Sequence, residues 1–170
     1  GITRGAYGSS GTSHSAGVYV SEAQGVASAS TALALPFDTT DTSNQVALDP
    51  TDTSKIVFDL PGYYNVQFST QLVNCTNSID NVTFWFRKNT NDIAYTGGVV
   101  SVPGKHAGGV GAAIVSWNLV VEVNAGDNIQ LMMSTTSGNT VAATYPPGTS
   151  PTRPASPSVI LTATFVSALY

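Results

Sequence analysis

Apolar and polar residues alternate along most of this chain with a period of two. That is the pattern of strands, because successive side chains of a strand point to opposite faces. In residues 55–60, Ile56, Phe58 and Leu60 share a face. After Pro61-Gly62, Tyr64, Val66, Phe68 and Leu72 lie on one side, and Asn65, Gln67, Ser69 and Gln71 on the other. Val82, Phe84 and Phe86 oppose Thr83, Trp85 and Arg87. A run from about Ser116 aligns Trp117, Leu119, Val121 and Val123. Ile129, Leu131 and Met133 then alternate with Asn128, Gln130 and Met132. Asn124-Ala125-Gly126-Asp127, between these two runs, predicts a tight turn. No capped apolar stripe at helical spacing has useful length, so the pattern predicts an all-β domain.

Two stretches break the rhythm. Residues 158–169 place Val159, Ile160, Leu161, Ala163, Phe165 and Val166 on both faces of one strand. A strand apolar on both sides is buried on both sides, yet a two-sheet sandwich covers only the inner face. The second face therefore calls for cover, either by another chain or by the N-terminal arm. That arm, residues 1–30, is Gly, Ser and Ala with a single apolar cluster at 18–20. Alone it buries too little to offset its ordering entropy, so it reads either as a flexible tail or as a segment ordered by a partner. Residues 31–170 read as one domain. Residues 144–157 hold five prolines and predict a stiff, extended loop with little backbone pairing. Residues 102–111 hold four glycines and predict a flexible one.

Composition narrows the function. Of 170 residues, 42% are hydrophobic but only 9% are charged, against about a quarter in an average soluble protein. Hydroxyls and amides must therefore make the surface polar. With six basic and ten acidic residues, the chain has no basic footprint for nucleic acid and no basic patch for an anionic membrane. No apolar run approaches the ~18 residues of a membrane-spanning helix.

Catalytic and metal chemistry finds little purchase. Gly98 to Gly104-Lys105 resembles a phosphate loop, but five residues separate the glycines and His106 stands where Ser or Thr is required. The single Cys75 cannot form an internal disulfide, lies far in sequence from His106, and reads as a small core hydrophobe. The two His and one Cys have no zinc spacing, and no cofactor is expected. Asp38, Asp41, Asp49, Asp52 and Asp59 form an acidic stretch without the glycine or spacing of a Ca²⁺ loop, so a solvated, turn-forming face is preferred. Asn74-Cys75-Thr76 and Asn81-Val82-Thr83 fit the glycosylation acceptor triplet, which matters only in a secreted eukaryotic protein. Trp117 shares a face with core aliphatics. Trp85 lies opposite Phe84 and Phe86, either half covered at an interface or as a contact residue for an outside partner.

Four landmarks in order resemble the globular C1q and tumour-necrosis-factor-like family. Phe58 to Val66, with its Pro-Gly-x-Tyr, is similar to the family signature. Residues 82–89 resemble its next strand, 118–131 its aliphatic strand with a Gly-Asp turn, and 158–169 its last strand. The resemblance covers about residues 44–169. It implies a two-sheet jelly-roll sandwich assembling as a homotrimer, with Tyr64, Val66, Trp117 and Val121 in the core. Carried over residue by residue, the positions facing the trimer are Asn65, Gln67, Asn118, Val120, Ala163, Phe165 and Leu169. Asn65 and Gln67 depart from the aromatic contacts of many members, which implies a wetter interface there.

The family's animal ligands carry a collagen stalk or membrane anchor. This chain's Thr-, Ser- and Asn-rich texture instead resembles bacteriophage virion proteins with C1q-like domains. The function expected is a non-enzymatic capsid decoration or cement protein, whose residues 1–30 order on a major capsid protein or other virion protein. The runner-up is a phage fibre or knob adhesin that binds a host glycan through Trp85 and loop residues. A secreted C1q-like ligand is the third reading.

Overall fold

The computed structural model describes residues 15–20, 23–26 and 28–169. In chain order the strands are Ser15–Val20 (β1), Gln24–Gly25 (β2), Leu33–Ala34 (β3), Thr39–Asn44 (β4), Val46–Leu48 (β5), Ile56–Phe58 (β6), Gly62–Asn74 (β7) and Asp80–Lys88 (β8). They continue with Asn91–Asp92 (β9), Gly98–Val102 (β10), Gly111–Val123 (β11), Asn128–Thr135 (β12), Thr140–Ala142 (β13), Gly148–Thr149 (β14), Thr152–Arg153 (β15) and Val159–Ser167 (β16). No helix occurs among the described residues.

The strands form two large antiparallel sheets: the fold is all-β, as the alternation predicts, and a two-sheet jelly-roll sandwich, as the resemblance implies. The first sheet runs β4-β1-β16-β7-β11, and β13 and then β2 continue it beside the far end of β7. The second runs β5-β6-β12-β8-β10, with β3 beside β12 and β9 beside β8. Chain neighbours alternate between sheets: β6 leads into β7, β7 into β8, β10 into β11 and β11 into β12. Each crossing turns the next strand's apolar parity toward the same interior.

Aromatic rings fill that interior. Phe68 of β7 contacts Trp117 at 4.8 Å, Phe84 at 5.4 Å and Phe86 at 5.8 Å between ring centroids. Tyr64 meets Phe58 at 4.7 Å and Phe165 at 5.5 Å, both edge-on, a geometry that favours the ring quadrupoles. Its hydroxyl donates to the Leu60 carbonyl at 3.1 Å, so the buried polar tip is satisfied. Burial, aided by the charge of Asp59, pushes this phenol up to about 12. Gly62 is required where β7 begins: a Cβ there would lie 2.7 Å from the Phe165 ring and 2.8 Å from the Ser167 carbonyl oxygen.

The N-terminal segment is partly woven into this frame. β1 pairs with β16 on one side and β4 on the other, and Ala16 and Val18 are buried in the core. Residues 15–20, read from the sequence as part of an arm, are thus a sheet strand. Residues 1–14 lie outside the described residues. Because β1 sits beside β16 within the sheet, it does not lie across the outer face of β16, where Ile160 and Val166 remain 43% exposed.

Candidate interaction surface

The outer face of the first sheet is built by odd positions of β7 and even positions of β11 and β16. Register sets Gln67 between Asn118 and Thr162, Asn65 between Val120 and Thr164, and Ser69 between Ser116 and Ile160. Asn118 Nδ2 donates to Asn65 Oδ1 at 2.9 Å, tying β11 to β7 across this face. Ile114 and Val120 stand 76% and 57% exposed among these amides and hydroxyls. Ionisable groups appear only at one end of these three strands' outward positions, where the Tyr63 hydroxyl donates to Glu122 Oε2 at 3.0 Å. That bond, then the carboxylate's charge, holds the Tyr63 phenol above its usual range.

Four of the positions implied to face a trimer, Asn65, Gln67, Asn118 and Val120, therefore meet on one surface. Ala163 and Phe165 do not. They are 1% and 8% exposed and face the core, because register pairs them with the inward Val66 and Tyr64. The outward residues of β16 are Ile160, Thr162 and Thr164 instead. Leu169 is half-buried beyond the end of β16. A strand apolar on both faces offers no hydrophobic signal for its parity, which is why sequence reasoning set Ala163 and Phe165 on the outward face. The partner strand's register was the missing information.

Trp85 lies on the outer face of the second sheet, half-buried, opposite Met132, which is itself 2% exposed. Its Nε1 is buried without a partner at hydrogen-bond distance. The neighbouring Asp92 carboxyl is held below its usual range, first by its bond from Arg87 at 2.7 Å.

The two ends of the sandwich differ. Loops 75–79, 103–110 and 144–157 gather where β7 ends, since Asn74 pairs with Gly111 and Thr140, and Thr70 with Val159. The chain enters β1 at Ser15, opposite Thr164 and Asn44, toward the other end, where β16 reaches Ser167 beside Tyr63. The proline-rich loop is not the unpaired extension expected. β14 and β15 form a hairpin within it, and Tyr145 and Ser156 exchange two backbone bonds of 3.0 and 2.9 Å at its base. Loop 103–110 closes on itself through paired bonds between His106 and Gly109, both 2.9 Å.

Several smaller expectations resolve locally. Cys75 is exposed rather than core, because it sits in the loop after β7, where no second layer covers it. In the acidic stretch, Asp49 accepts from the Thr51 hydroxyl (2.6 Å) and amide (2.7 Å), and Asp52 from the Ser54 hydroxyl (2.6 Å). Those bonds hold both carboxyls below their usual range and shape a turn. Among the described residues no three His, Cys, Asp or Glu come together to hold a metal ion. Asn74 of the first acceptor triplet is buried, with Nδ2 donating to the Ser78 carbonyl at 2.8 Å, so it is unavailable for glycosylation.

Neither protein-family models nor curated proteins give a match to this chain. Its two antiparallel sheets and their strand order make it an all-β sandwich with the architecture of a jelly roll.

Proposed function

We propose that this chain is a non-enzymatic structural protein of a virus particle: a C1q/tumour-necrosis-factor-like homotrimer that decorates and cements a phage head. The observation that carries the reading is the outer face of the first sheet. Across β7, β11 and β16 it presents Asn65, Gln67, Ser116, Asn118, Thr162 and Thr164 around the exposed Val120 and Ile160. Such a surface loses little on desolvation because amides and hydroxyls can pair across an interface, and its apolar positions gain from burial. The four-strand core order β1-β16-β7-β11 against β6-β12-β8-β10 supports the family reading. The polarity of the molecule supports attachment: residues 1–14 join at the end away from the loops, suited to lie on a major capsid protein while the loops face outward. Three copies multiply each weak contact into avidity.

The oligomer is tested by light scattering on the wild type and on a Gln67→Lys, Thr162→Lys double variant. A trimer that the double variant disperses into folded monomers supports the reading. A stable monomer at micromolar concentration overturns it. Imaging of labelled protein on the source particle tests the location: capsid faces support decoration, and a tail tip overturns it.

A further inference from the structure

Loop 93–98 arches past β11 at the open side of the sandwich and leaves a hollow of about 250 Å³. Phe86, Trp117 and Leu119 line it from the core side, and Tyr95, Thr96 and Asn118 line it beside them. We propose that this hollow binds a single neutral pyranose ring, the terminal unit of a glycan chain, stacked between Tyr95 and Trp117.

Three independent features point to a ligand. Among the described residues Tyr95 is the most exposed large hydrophobic side chain, at 105%, and its backbone sits at φ +64°. A bulky residue in that left-handed region costs on the order of 1–2 kcal/mol, and this ring buries nothing in return. The loop nonetheless holds it there: Thr96 Oγ1 accepts from Phe86 N at 3.1 Å and donates to the Ile93 carbonyl at 2.8 Å. Secondly, Trp117 is half-exposed yet fixed, packed edge-on against Phe68 at 4.8 Å. Gly98 lets the loop lie on its ring, since a Cβ there would come within 2.5 Å of it. Thirdly, no charged side chain lines the hollow, and the Asn118 side chain lies on the opposite face of β11, bonded to Asn65.

Aromatic faces, the Tyr95 hydroxyl and no charge select a neutral ring with an apolar face and hydroxyl edges. The volume lies below the about 300–1,000 Å³ of sites for drug-sized molecules, so one ring fits and the remaining chain projects to solvent. This inference uses Trp117 and Tyr95, not Trp85, and shares only Asn118 with the face proposed to pack in the trimer.

The test is a tryptophan-fluorescence and saturation-transfer titration of the full chain. The probes are the methyl glycosides of glucose, galactose, mannose and N-acetylglucosamine, each to about 100 mM, a range that spans millimolar affinity. At least one glycoside should saturate. Tyr95→Gly should weaken it at least about tenfold while keeping or raising the thermal midpoint, since glycine relieves the backbone. Trp85→Phe should leave the affinity unchanged. The proposal is overturned if no glycoside saturates, or if Tyr95→Gly binds as the wild type does. It is equally overturned if Tyr95→Gly disperses an oligomer without any glycoside effect, which would assign Tyr95 to a contact between copies.

Discussion

Asp80 shows how one residue organises a loop in this fold. It is completely buried, and its carboxylate accepts from the Thr136 hydroxyl (2.9 Å), the Ser137 amide (2.9 Å) and the Thr140 amide (3.1 Å). Burial alone would raise its carboxyl, but these donors outweigh it and hold the group below the usual 3.8. A depressed carboxyl contributes stability that is complete above its unfolded value and lost as pH falls through the folded one. Asp80→Asn puts an amide N–H₂ among donors and should cost about 2–3 kcal/mol at pH 7. Denaturant midpoints at pH 7, 5 and 3 check both parts: the wild type should lose stability below about pH 4, and the variant should lose less of it. Parallel pH curves would remove Asp80 from the account. None of this was legible in the sequence, where Asp80 stands simply before a β-patterned run. Its partners come from the turn between β12 and β13 and the first residue of β13, more than fifty residues away.

At the scale of elements, legibility followed how one-sided each strand is. β7 alternates without exception from Gly62 to Thr70, so its inner and outer faces could be read directly, and Asn65 and Gln67 lie where expected. β12 was read for Ile129, Leu131 and Met133, but Gln130 and Met132 are buried as well. On that second face Ser54 Oγ accepts from Gln130 Nε2 at 2.6 Å, and Trp85 stands beside Met132 across the strand pair. β1 was hidden because Gly, Ser and Ala carry no periodicity, and its place between β16 and β4 comes from backbone pairing rather than from side chains. Truncation separates the two parts of the N-terminal segment. Removing residues 1–14 should shift the thermal midpoint by no more than a few degrees, roughly what 1 kcal/mol produces in a domain this size. Removing residues 1–20 also uncovers β16 and the core around Val18, and should abolish cooperative unfolding by calorimetry. Equal effects of the two truncations would show that β1 contributes little.

At the scale of the whole molecule, the charge content of 9% acquires a place in the structure. The described ion pairs, Lys55–Asp52, Arg87–Asp92 and Lys88–Asp127, lie in the turns and strands of the second sheet's half. The outward positions of β7, β11 and β16 leave only Glu122 to carry charge, already engaged by Tyr63. An assembly through this face therefore draws on apolar burial and neutral hydrogen bonds, neither of which a Debye length of about 10 Å at 0.1 M or 3 Å at 1 M can screen. The midpoint concentration for dissociation should consequently weaken by less than about threefold between 0.05 and 0.5 M NaCl, as measured by sedimentation equilibrium. An assembly held by ion pairs would lose about tenfold or more over that range, as charge-dominated contacts do. A tenfold loss would move the interface to the charged second sheet. It would also leave the polar outer face of the first without its proposed partner.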